Sequence, residues 1–158
     1  MNGIASFLSA DHDRLGALKS RSASDPKAYA AFRRGLLKHI AMEETILLPA
    51  VKRLRGTPLA LAKQVRLGHS AITALLTPTP TPAIRAAMRA ILKVHNKLEE
   101  DDGGIYAQCE QVLGDEVPKV LEALKAAPDV PPAPHSDSPK ALAAVNRALE
   151  AAGYPPLP

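Results

Sequence analysis

Four histidines and two glutamates form a repeated pattern whose residue types suit metal binding. His39-Ile-Ala-Met-Glu43-Glu44 and His95-Asn-Lys-Leu-Glu99-Glu100 share one arrangement, a histidine followed four residues later by paired carboxylates. Each has an earlier histidine at a matched distance: His12 stands 27 residues before His39, and His69 stands 26 before His95. Residues i and i+4 share a helix face, about 5–6 Å apart at Cβ, so a histidine and glutamate placed this way can ligate one ion or two adjacent ions. Four imidazoles and two carboxylates are too many donors for one tetrahedral zinc, and they form neither an all-oxygen nor a thiolate set. Two bridging carboxylates with two histidines per metal fit a di-iron centre that keeps open or water-filled positions for a small molecule. Manganese or a mixed-metal pair also satisfies these donors.

The competing explanation is a set of ordinary core histidines. That is the common fate of one histidine on an apolar face. Two carboxylates beside them change the balance, because an unpaired carboxylate in a core costs several kcal/mol and a cation removes that cost.

Helices must position these groups. Ser24-Asp25-Pro26, Thr57-Pro58, Thr81-Pro82 and Ser138-Pro139 each set a capping side chain just before a proline, and so mark four helix starts. A helix over about residues 3–19 precedes them, with Ile4, Leu8, Leu15 and Leu18 at helical spacing. The second runs over about 26–54 through Phe32, Leu36, Ile40 and Leu47, with Pro49 expected to kink it and Gly56 to end it. The third runs over about 58–76 and the fourth from Pro82 past His95 to Gly103-Gly104 or Gly114. Each of the four histidines continues the apolar line of its helix. His39 lies 17 residues before the Gly56 turn and His69 lies 13 after it, a height difference of about 6 Å. Beyond residue 114 come a short helix over 115–125, a proline-rich linker over 128–136 and an amphipathic helix over 139–152. The fold expected is all-α: an up-down-up-down four-helix bundle over residues 1–114, with a C-terminal helical extension over 115–158 packing on it.

Composition agrees. The 158 residues are 46% hydrophobic but only 3% aromatic, which suits helix packing by small and aliphatic side chains. The single cysteine, Cys109, excludes a disulfide framework and a Cys-based zinc or iron–sulfur site. No apolar run approaches the roughly 20 residues that span a bilayer, and the first ten residues lack the Lys or Arg of a secretory leader, so a cytoplasmic location is expected. The net charge of +4 is dispersed, and stacking aromatics and a recognition motif are missing, which argues against nucleic acid as a partner.

The motif residues resemble the hemerythrin-like family, in its HHE cation-binding branch. The resemblance rests on Asp11-His12-Asp13, His39-xxx-Glu43-Glu44 followed by Leu47-Leu48-Pro49, Gly68-His69, and His95-xxx-Glu99-Glu100, and covers roughly residues 3–113. It implies a four-helix bundle around a non-haem, oxo- or hydroxo-bridged di-iron site. His12 and His39 would bind one iron, His69 and His95 the other, and Glu43 and Glu99 would bridge them. Thr73 stands where the oxygen-carrying hemerythrins have a further histidine, which implies a more open site and argues against simple reversible oxygen carriage. The implied role is binding of, or reaction with, a small diatomic molecule or peroxide, such as oxygen, nitric oxide or hydrogen peroxide, in sensing or stress response. The alternative is an iron-handling or metal-responsive module without turnover, suggested by the tethered C-terminal helix. No catalytic base is apparent.

Lesser candidates have plainer expectations. Glu44 and Glu100 are either ligand-supporting acceptors or alternative ligands, or else salt-bridged or solvated charges. Asp11 and Asp13 flank a ligand and read first as helix-start charges and second as imidazole-orienting groups, Tyr106 first as packing and second as a group that reaches the pocket, Cys109 as buried or inert, His135 as exposed, and Arg33-Arg34 as a surface pair.

Overall fold

The computed structural model describes residues 3–158; helices are its regular structure, with no strand among the described residues. Eight α-helices follow in order: α1 (Ile4–Ser22), α2 (Pro26–Met42), α3 (Leu48–Arg55), α4 (Ala62–Leu75), α5 (Pro82–Glu100), α6 (Ile105–Leu113), α7 (Val117–Lys125) and α8 (Pro139–Ala151). No helix is long and apolar enough to cross a membrane, among the described residues.

Local chemistry accounts for most boundaries. Asp25 accepts the Lys27 amide ahead of Pro26, Thr81 accepts the Ile84 amide ahead of Pro82, and Ser138 accepts the Ala141 amide ahead of Pro139. These are three of the four expected starts. The fourth, Thr57-Pro58, is a turn instead, and α4 begins only at Ala62. There the Arg55 guanidinium takes the Thr57 hydroxyl and the Pro58 carbonyl, so the would-be cap is already engaged. Of the two ends expected for the fourth helix, the earlier one holds: α5 stops at Glu100, a turn carries Gly103 at φ 74°, and α6 is a separate element.

Pro49 acts through a wider turn. Residues Glu43–Leu47 are π-helical, and the Leu48 amide bonds the Glu43 carbonyl five residues back. Proline lacks an amide hydrogen and its ring crowds the preceding turn, so one inserted residue of slack relieves the clash while the chain continues into α3. The consequence for the site is direct, because Glu43 opens this segment.

The chain forms two compact units, Met1–Ala60 with Glu100–Pro132, and Leu61–Glu99 with Ala133–Pro158. In the first, α1 packs along α2, α6 packs on α1 and α3, and α7 covers α1 and the π-helical turn. Ile4, Leu8 and Leu15 face Phe32, Leu36 and Ile40 in its core, joined by Ile105, Cys109, Leu113 and Leu124, all buried. At about 1.5–3 kcal/mol per fully buried aliphatic side chain, this layer dominates the stability of the unit. The amino end of α1 has no side-chain cap of its own, and Glu110 on α6 accepts the Ala5 amide at 2.8 Å in its place.

In the second unit α4 packs on α8, burying Val65, Ile72 and Leu75 with Val145 and Leu149. α5 buries Ile84, Met88, Ile91 and Leu92. The proline-rich segment before α8 is tied to the Thr-Pro spacer. Asp137 accepts both the Thr79 amide and the Thr79 hydroxyl at 2.8 Å, and the Ser136 amide bonds the Thr77 carbonyl at 3.0 Å.

Candidate metal centre

Each unit holds a buried triad of two histidines and one glutamate. His12 on α1, His39 on α2 and Glu43 at the start of the π-helical turn make up the first, and are 8%, 2% and 1% exposed. Each offers one ligand atom, and these atoms lie within 4.8 Å of one another. His39 Nε2 is 2.8 Å from Glu43 Oε1, across one turn of helix. The imidazoles of His12 and His39 lie with centroids 4.5 Å apart.

Both imidazoles are oriented from behind. The Nδ1 of His39 lies 2.8 Å from Asp11 Oδ2, and the Nδ1 of His12 lies 2.6 Å from Glu100 Oε1. A carboxylate on Nδ1 fixes the tautomer, with Nδ1–H donating, and turns Nε2 inward as a lone-pair donor. Asp11 is itself clamped by Arg14, whose Nη2 lies 2.8 Å from Oδ1. Burial pushes the Asp11 carboxyl up, but the hydrogen bond and charge of His39, with those of Arg14, outweigh it and hold Asp11 below the ordinary carboxylate value. Of the two roles expected for Asp11, orienting an imidazole is the one it takes, and a helix-start charge is not, since α1 begins seven residues earlier, at Ile4. Asp13 is exposed.

Tyr106 takes the second of the two roles expected for it, reaching the pocket and not merely packing. It is 1% exposed on α6 and carries its hydroxyl into the triad. The hydroxyl donates to Glu43 Oε1 at 2.5 Å and lies 3.2 Å from the Nε2 atoms of both His39 and His12. Donors bound to one ion at about 2.0–2.2 Å have neighbours about 3 Å away, so these four atoms have the spacing of a ligand set. Its sequence signal is a tyrosine two residues after the Gly103-Gly104 break.

His69 on α4 and His95 and Glu99 on α5 form the second triad, at 2%, 5% and 0% exposure, again with ligand atoms within 4.8 Å. Glu99 Oε2 is 3.2 Å from His95 Nε2 and 3.7 Å from His69 Nε2. The two rings lie with centroids 4.8 Å apart at 60°. Gly68 makes room for them: a Cβ there would stand 2.5 Å from His95 Nδ1.

The remaining candidates fall outside the triads. Cys109 is fully buried and His135 exposed, as expected. Glu100 supports His12, and Glu44 is half-buried. Arg33, expected on the surface, is 8% exposed within the core layer of α2, while Arg34 is exposed.

No family model matches the chain, and no curated protein or solved structure matches it. The functional reading therefore rests on donor chemistry. Two imidazoles and a carboxylate, all buried, with Nε2 lone pairs turned toward a common point, suit a divalent or trivalent transition ion.

Proposed function

We propose that this chain is a hemerythrin-like non-haem di-iron protein that binds or reacts with a small molecule such as oxygen, nitric oxide or peroxide. The observation that carries the reading is the duplication of one buried donor set, His12, His39 and Glu43 in one unit and His69, His95 and Glu99 in the other. The up-down-up-down bundle, the union of both triads in one bridged pair, and Glu43 and Glu99 as the bridges belong to the proposal and rest on the sequence resemblance. Iron bound there would supply the redox chemistry and open positions for the small molecule.

The chain's own groups would do the rest. Asp11 and Glu100 hold the His39 and His12 rings with Nε2 inward. Tyr106 adds a fourth donor, or a phenolic proton, beside Glu43. His12, His39 and Glu43, at most 8% exposed, are themselves held away from bulk water.

Metal analysis of the iron-loaded chain tests this. Two irons per chain are expected, with an absorption spectrum that changes on adding azide or nitric oxide. Removing iron with a chelator should lower the melting temperature, because a ligand at 100 times its Kd adds about 2.7 kcal/mol to the folded state. A chain that takes up no iron, or whose spectrum ignores both ligands, overturns the reading.

A further inference from the structure

The first unit carries a second site, a cleft of about 450 Å³ bounded by α1, α2 and α7. That volume falls within the range of about 300–1,000 Å³ typical of small-molecule sites. Its walls divide by chemistry. Met42 and Leu124, both buried, and the half-buried Phe7 supply an apolar surface. Arg14, Arg34, Lys38 and Lys125 supply four cations, against two carboxylates, Asp11 and Asp129.

Both carboxylates are already engaged. Asp11 is held by Arg14 and His39, and Asp129 by Lys38 at 3.0 Å. Arg34 is exposed and makes no ion pair among the described residues. Lys125 is paired with Glu122 at 3.5 Å, so the positive excess of the cleft is that of Arg34, beside apolar walls that strengthen the field felt by an incoming anion. Gly35 shapes the site. A Cβ there would meet Leu15 Cδ2 at 2.6 Å and Arg14 Nη2 at 3.1 Å, so its absence lets the Arg14 guanidinium lie close over α2. A planar guanidinium presents paired donors that match a carboxylate or phosphate head.

We propose that this cleft binds an amphipathic organic anion, a carboxylate or phosphate monoester head on a short apolar body. The head lies between Arg34, Lys38 and Arg14, and the body covers Met42, Leu124 and Phe7. A cationic amphiphile is refused by the same charges, and a head without a body gains too little from the apolar wall.

Calorimetric titration of the full chain tests the proposal, with the iron-loaded and the chelated protein run in parallel. The probes are octanoate, octyl phosphate, acetate, inorganic phosphate and octylamine. Saturable binding of octanoate or octyl phosphate is expected in both metal states, at least about tenfold tighter than acetate or inorganic phosphate, with octylamine silent. Whichever of the two octyl anions binds tighter identifies the head. Arg34→Ala and Lys38→Ala should each weaken binding about tenfold, as loss of a charge-assisted contact does. Arg34→Lys should restore part of it, and Arg53→Ala on α3 should change nothing. Octylamine binding as well as octanoate, equal affinity for acetate and octanoate, or indifference to Arg34→Ala each overturns the proposal. Octanoate binding that vanishes on chelation places the anion on the metal and overturns it too. Failure to take up iron overturns the metal reading alone, because the chelated arm still reports on the cleft.

Discussion

The Tyr106 hydroxyl donates to Glu43 Oε1, joining residues 63 apart in the chain at the inner end of a buried triad. No other contact bears so directly on the character of the first triad, since it sets a phenol 3.2 Å from two imidazole nitrogens. If the triad holds iron as proposed, this phenol would be one of its donors, with Glu43 taking the phenolic proton.

Tyr106→Phe keeps the ring and removes only that oxygen. The iron-loaded parent protein should show a visible phenolate-to-iron absorption, and the variant should lack it. Metal affinity of the first triad should fall about tenfold by chelator competition, within the range for lost ligand-supporting contacts. An identical spectrum in parent and variant would show that Tyr106 only packs.

Asp11→Asn weakens the clamp on His39 while preserving side-chain volume. An amide oxygen can still accept from Nδ1–H, but without charge it no longer biases the ring. A loss of about 10–100-fold in metal affinity at one of the two triads is expected. Arg14 should become more mobile in the same variant, because its partner at 2.8 Å loses its charge.

Gly68→Ala sets helix propensity against packing. Alanine favours a helix by about 0.5–1 kcal/mol over glycine. Here its Cβ would stand 2.5 Å from Nδ1 and 3.1 Å from Cε1 of the buried His95 ring. Overpacking of this kind costs about 1–3 kcal/mol, so the variant should melt lower. Iron content should drop to about one per chain, with the Tyr106 absorption retained. A gain in stability with full metal content would refute the crowding argument.

Asp137 makes a prediction in pH. Its hydrogen bonds from the Thr79 hydroxyl and amide hold the carboxyl below its ordinary value of 3.8. A carboxyl depressed in the folded state contributes stability above its unfolded value and loses it as pH falls through the folded one. Protection of the Thr79 amide from hydrogen exchange should therefore hold at neutral pH and fade in acid, below about 3.8. In Asp137→Ala that protection should already be reduced at neutral pH, and acid should change it little.

Much of this molecule is legible residue by residue. Asp25, Thr81 and Ser138 announce helix starts because capping is settled within three residues of chain. Thr57-Pro58 carries the same signal and misleads, because Arg55 competes for its polar groups. The effect of Pro49 was legible as a disturbance, while its form as a π-helical turn opening at Glu43 was not.

Sequence alone determined the helical class, the i,i+4 spacing of His39 with Glu43 and of His95 with Glu99, and the choice of nitrogen and oxygen donors. These follow from local geometry and side-chain chemistry. Tertiary structure decided which carboxylate stands behind each imidazole, that Tyr106 enters the first triad, and that Arg34 borders an open cleft while Arg33 is buried. Those relationships link residues up to 94 positions apart, and only the tertiary fold brings such groups within hydrogen-bond distance.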